Sequence, residues 1–247
     1  MKIRIDDVKG FTKYFLSHIN KINKAIPIRI TPDRIYCFIA NSDTTLYLYC
    51  EYEQDNDIEG VDEVVINLDN VNTFIKLLNT IKGNSIEFKY DVNKLVYNDG
   101  SMSFKFHLLD PRQVPDAKLP LNKFRSYNYD FDFKITYETL KDIIKASSFA
   151  SDTEKLYFST KNGCVYAEID DKTKLNRNSF KIQISDTFNG NDLLNPIPIN
   201  IEHIRNIVVN TFDETTFKIN DRRSSLNANI SYSSGVNVEY LIGVLKK

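Results

Sequence analysis

The order of segments in this chain occurs twice, and that repetition constrains the fold more than any single motif. A short alternating stretch, Lys2 to Ile5, runs into a helical pattern from Asp7 to Lys24. Period-two segments follow near 35–40, 45–52 and 63–68. A second helical pattern runs from Asp69 to about Lys82, and strand-like stretches near 85–90, 94–98 and 101–109 close the first half. The second half repeats the series. A strand from Tyr129 to Ile135 enters a helix at Thr136 to Phe149, and strands follow near 154–160, 163–170 and 178–186. A helix near Asn200 to Asn210 then precedes strands near 215–219, 225–232 and 236–244. A repeat this long is a duplicated domain, not a solenoid unit. Two helices and several turn-connected strands per copy predict an α+β fold of antiparallel sheets with helices on one face.

Pro111, Pro115 and Pro120 stand in the polar stretch from Asp110 to Asn128. Prolines at that density oppose both helix and central strand, so an extended connector is expected there. The predicted organisation is a domain over 1–110, a connector over 111–128 and a domain over 129–247.

The residue counts exclude several chemistries. Eight glycines are spread over 247 residues, with no two close enough for a P-loop or a dinucleotide fingerprint, whose phosphates need glycines within a few residues. Cys37, Cys50 and Cys164 form no CxxC pair and read as reduced, buried thiols in strands. His18, His107 and His203 are scattered, and no GxSxG elbow occurs. Asp55, Asp57, Glu59 and Gly60 imitate the start of a calcium loop, but its twelfth position, which needs a bidentate Glu, is Ile66. No metal, cofactor or catalytic residue is therefore expected, and the chain reads as a non-enzyme. No run of 18 apolar residues predicts a membrane span, and the start lacks a signal-peptide stretch, so a reducing cytoplasm is expected.

The net charge of -1, from 32 basic and 33 acidic side chains, is sorted by element. At about 100° per residue, Val8, Phe11, Phe15, Ile19 and Ile22 form an apolar stripe, and Lys9, Lys13, Lys21 and Lys24 lie away from it. Lys76 lies opposite the stripe of Val71, Phe74, Ile75 and Leu78. Lys141 and Lys145 lie away from Leu140, Ile143 and Ile144, and Arg205 borders the stripe of Ile201, Ile204 and Val208. The four helical segments carry nine basic residues against five acidic ones, most of the acids in first turns where the helix dipole favours them. An excess of about four positive charges on the helices leaves about five negative charges elsewhere. A solvated face alone accounts for lysines on one helix; their recurrence on all four helical segments, matched across a duplication, weighs against that account without by itself naming a partner.

Several stretches in this order resemble the sliding DNA clamps, the polymerase processivity factors that include the T-even-type phage clamp and proliferating cell nuclear antigen. They are Val64-Val65-Ile66-Asn67-Leu68-Asp69-Asn70-Val71, Ser103-Phe104-Lys105-Phe106-His107-Leu108-Leu109-Asp110-Pro111, Phe133-Lys134-Ile135-Thr136, and Val238-Glu239-Tyr240-Leu241-Ile242. The short chain and connector look closest to the phage type. The resemblance implies two tandem clamp domains, with antiparallel sheets outside and two helices per domain on the inner face. It implies a homotrimeric ring around double-stranded DNA, loaded by a clamp-loader ATPase and tethering a replicative DNA polymerase, in the host cytoplasm if the protein is a phage one.

Under that resemblance the DNA-facing cations are Lys9, Lys13, Lys21, Lys24, Lys76, Lys141, Lys145 and Arg205, touching phosphates without reading bases. The subunit interface pairs Phe104, Phe106 and Leu108 with Phe180, Ile182 and Ile184 of a neighbour. A partner peptide occupies a groove of Ile39, Ala40, Leu119, Leu121, Leu241 and Ile242. The competing readings are a β-rich virion scaffold with merely solvated lysine faces, and a hydrolase with a dispersed site.

Overall fold

The computed structural model describes every residue except 59, 116, 151–152, 172–177, 221–224 and 246–247. It divides into two compact units, 1–118 with 231–238, and 119–230 with 239–247. The dividing point lies inside the expected connector, and the tip of the last hairpin belongs to the first unit.

The first unit opens with β1 (Lys2–Ile5), which leads into helix α1. Asp7 caps this helix, accepting from the Gly10 N–H at 3.0 Å. The helix runs through Val8–Gly10, a π-helical stretch Phe11–Leu16, and Ser17–Ile22. The wider π turns rotate each residue less than an α turn does, so the buried face drifts. Thr12, Leu16 and His18 are buried alongside Val8, Phe11, Phe15 and Ile19, whereas Ile22 is only half-buried. Then come β2 (Ile26–Thr31), β3 (Arg34–Ala40), β4 (Leu46–Glu53), β5 (Val64–Leu68), α2 (Val71–Leu78), β6 (Ile86–Asp91), β7 (Lys94–Asn98) and β8 (Ser103–His107). One sheet has the order β1-β6-β7-β8, and β4, β3, β2 and β5 lie side by side in another, with antiparallel registers throughout.

The second unit begins with a short helix, α3 (Leu121–Arg125). It continues through β9 (Phe131–Thr136), α4 (Tyr137–Ala146), β10 (Lys155–Lys161), β11 (Cys164–Ile169), β12 (Phe180–Ser185), β13 (Asn189–Gly190), β14 (Ile197–Asn200), α5 (Ile201–Ile207), β15 (Glu214–Asn220), β16 (Ser225–Tyr232) and β17 (Val236–Gly243). Here β12-β11-β10-β14 repeats the order β4-β3-β2-β5, and β9-β15-β16-β17 repeats β1-β6-β7-β8. The duplication read from the sequence is thus a duplication of topology. The small strand β13 is added beside β9, where Gly190 at φ +103° brings its Cα against the Asp130 carbonyl; a Cβ would meet that oxygen at 2.2 Å.

Three helices start at a strand end through the same device. Asn70 accepts from Thr73 N–H, Thr136 from Thr139 N–H, and Asn200 from Glu202 N–H, at 3.0, 3.2 and 2.8 Å. The apolar stripes then pack inward. Phe74 meets Phe88 and Phe106 at 6.0 and 5.1 Å, and Phe133, Phe158 and Phe217 form a ring cluster with centroids 5.6–5.9 Å apart.

Besides the two-residue β13, two strands, β2 and β14, are absent from the sequence expectations. Each contains a proline, Pro27 and Pro198, a residue that argues against a ladder position because it donates no hydrogen bond. The extended connector also needs correction. Pro111–Gln113 forms a 3-10 turn and Leu121–Arg125 a short helix, because a proline before or at the first helical position costs no bond there. Cys37 and Cys50 face each other across β3 and β4, buried and free, and Cys164 is half-buried.

Candidate nucleic-acid and partner interfaces

Of the eight cations singled out on the helical segments, Lys141 is half-buried and the other seven are exposed. Their surroundings differ. Lys13 Nζ lies 2.9 Å from Tyr14 Oη and 4.7 Å from that ring's centroid. Lys141 pairs with Glu138 at 3.4 Å, Lys145 with Asp142 at 3.0 Å, and Arg205 with Glu202 at 3.0 Å. Arg205 also donates through Nη2 to Ser147 Oγ at 2.6 Å, so it ties α5 to the end of α4 as well as facing outward.

Phe104 and Phe106 lie on β8, the last strand in its sheet, with Leu108 just beyond; Phe180, Ile182 and Ile184 lie on β12, the terminal strand of another. Phe104 packs on Phe88 at 6.0 Å, so these aromatics are half-buried within their own unit and present only one flank outward.

The groove residues separate. Ile39 and Ile242 are 1% and 0% exposed and face the core, Leu241 is 4% exposed and covered, and Ala40 is buried. Leu119 and Leu121 are half-buried, in the second unit. The outward residues of β3 are Arg34, Tyr36 and Phe38. A one-residue step along a strand changes the face, so the sequence reading chose the core neighbour of the surface residue.

An open groove of about 460 Å³ lies within the first unit. Its floor is Pro27, Phe38, Val65 and Asn67, and its wall is formed by Pro111, Val114, Pro115 and Ala117. The wall is pinned because Leu109 N–H donates to the Asn67 carbonyl at 2.8 Å. At the rim, Glu63 accepts from Arg29 Nη1 and from Tyr36 Oη, both at 2.6 Å. Burial, with Glu63 beside it, pushes the Tyr36 hydroxyl up to about 12, so it stays a donor at physiological pH. Alternation along β3 was the signal that identifies Phe38; nothing in the sequence marks Pro27 or Asn67, which become groove residues only through the pairing of β2 with β5.

Among the described residues, no group of three His, Cys, Asp or Glu side chains is arranged to hold a metal; Glu59 of the acidic string lies outside them. No helix among them is long and apolar enough to cross a membrane.

No protein-family model matches the chain, and no curated protein matches its sequence. Solved structures do. A. fulgidus PCNA, solved bound to the C-terminal region of FEN-1, is 13% identical with a TM-score of 0.75, over 100% of this chain and 98% of that one. Proliferating cellular nuclear antigen from Entamoeba histolytica is 10% identical with a TM-score of 0.76, over 99% and 98%. The DNA polymerase III β subunit of Thermotoga maritima is 14% identical with a TM-score of 0.75, over 100% of this chain and 66% of that one.

The fold is that of the sliding DNA clamps. Both tandem units take part, since the likeness to PCNA runs over essentially the whole of both chains. In a clamp fold each unit pairs two helices side by side over its sheets, as α1 with α2 and α4 with α5 do here.

Proposed function

We propose that this chain is a sliding clamp, without enzymatic activity of its own, that encircles duplex DNA as a homotrimer and tethers a replicative polymerase. The observation that carries this reading is the full-length likeness to clamps in two tandem units, on a chain whose exposed helix faces are rich in lysine. Phosphate contacts from flexible lysines are sequence-independent and hold no register, which sliding requires. Closure would pair β8 of one copy with β12 of the next, covering two strand ends that otherwise invite aggregation. Loading would fall to an ATPase in another protein, in the cytoplasm of a cell or phage host.

Two measurements test this reading. Light scattering should give a mass near three times 28.6 kDa at micromolar concentration. Protein loaded on circular DNA should remain bound in moderate salt and be lost on linearisation. A monomer retained equally on both forms would point instead to the scaffold reading.

The first-unit groove is the proposed seat for a partner peptide with apolar anchors, as clamp-fold PCNA accepts a segment of FEN-1. Phe38→Ala removes an aromatic from its floor. Partner-peptide binding should weaken by about 1–2 kcal/mol, roughly five- to thirtyfold, read by isothermal titration. An unchanged affinity would place the peptide elsewhere.

A further inference from the structure

The two units carry very different charge on their helices. Within the helix bounds, α1 and α2 hold Lys9, Lys13, Lys21 and Lys76 and no acidic residue. The helices α4 and α5 hold Lys141, Lys145 and Arg205 against Glu138, Asp142 and Glu202. The whole helical excess of positive charge therefore belongs to the first unit.

Geometry strengthens the contrast. Each cation of α4 and α5 sits one turn after its own carboxylate, at 3.4, 3.0 and 3.0 Å. From a phosphate beyond the Debye length of about 8–10 Å such a pair looks neutral, and at closer range the carboxylate repels what the ammonium attracts. Among the described residues, no carboxylate lies within 4 Å of the Lys9, Lys21, Lys24 or Lys76 ammonium.

We propose that the first unit supplies most of the electrostatic hold on DNA, while Glu138 and Asp142 restrain the second unit by neutralising Lys141 and Lys145. This rests on the clamp reading above. It implies that one ring carries three strong and three weak phosphate-binding surfaces in place of six equal ones. DNA would then be held mainly by the first unit of each chain.

The test compares double variants of equal size in the full-length protein, using anisotropy of a fluorescein-labelled duplex between 50 and 200 mM salt. Lys9→Ala with Lys76→Ala should reduce the slope of log affinity against log salt by about 1 to 2 per chain. Lys141→Ala with Lys145→Ala should reduce it by less than half as much. Glu138→Gln with Asp142→Asn should raise affinity about three- to tenfold at the lowest salt and steepen the slope, because two ammonium groups are released. Equal losses from the two lysine pairs, or no gain from the amide pair, overturn the unequal partition while leaving the clamp reading intact. No effect from any of the three variants overturns the DNA reading itself. These side chains are exposed or half-buried, and an unchanged circular-dichroism spectrum with an unchanged mass confirms that each variant is folded.

Discussion

Phe133→Ala should lower the unfolding free energy by about 3–5 kcal/mol, the range for emptying a buried aromatic site. Phe133 is 2% exposed on β9, with Phe158 of β10 at 5.7 Å and Phe217 of β15 at 5.6 Å. Phe131 lies 5.8 Å away along the same strand. Phe158 and Phe217 themselves meet edge to face at 5.9 Å, so removing Phe133 leaves two rings facing a void they cannot fill without leaving each other. Because Phe158 and Phe217 come from different sheets of the second unit, the loss falls on the packing between those sheets. Urea unfolding followed by circular dichroism would read the shift as a lower midpoint. Phe133→Leu, which keeps most of the volume, should cost less than half as much. Equal costs for the two substitutions would mean that volume in this cluster is not what holds the sheets together.

Between pH 6.5 and 5 the first unit should lose stability through His18, above the range in which its hydrogen-bonded aspartates, such as Asp33, Asp91 and Asp110, begin to protonate. His18 lies on the inner face of α1, 0% exposed, with Nε2 2.8 Å from Tyr232 Oη and its ring 5.6 Å from the Tyr232 ring. Burial disfavours the charged imidazolium and pushes its pKa down to about 3. In the unfolded chain the same group titrates near its ordinary value of 6.5. Between those two values the unfolded state binds a proton that the folded state refuses, so stability rises with pH across this window and is flat in this group above it. Lowering the pH from 6.5 to 5 should remove about 2 kcal/mol, at about 1.4 kcal/mol per unit. A urea midpoint that falls steadily below pH 6.5 in the native chain, and less steeply in His18→Gln, is the expected result. Identical pH profiles for the two proteins would assign the acid sensitivity to other groups.

The legible and illegible parts of the molecule divide along a physical line. Helix starts were legible to within a residue, at Asp7, Asp69, Thr136 and Asn200, because the structure caps each of these helices locally through Asp7, Asn70, Thr136 and Asn200, within three residues of their partners. The apolar stripes of α2 and α4 were legible because a helix imposes its period on whatever follows. The stripe of α1 drifted because backbone bonding switches to the π pattern, a choice made by packing and not by residue type. Pro27 and Pro198 hid β2 and β14; β14 pairs only with the distant β10, and β2, besides its neighbour β3, pairs with the distant β5. Ile39 was taken for a groove residue and Phe38 passed over because the choice followed the clamp resemblance and not the alternation of β3, which puts Phe38 on the face of Arg34 and Tyr36.

The charge partition has the same origin. Counting from the sequence gives an excess of about four positive charges over the four helical segments, and that sum is unaltered by the structure. Its distribution between the units was countable too, yet acids in first turns read as partners of the helix dipole. Only side-chain geometry placed Glu138, Asp142 and Glu202 against particular cations. By itself the sequence determined the doubled order of elements, where the helices begin, and the absence of nucleotide-loop and paired-cysteine spacings, since each depends on residues close along the chain. Strand order, the face each strand turns outward, the groove beside the Pro111 turn and the pairing of charges were decided by the tertiary structure, because each is a contact between residues that chain connectivity leaves apart.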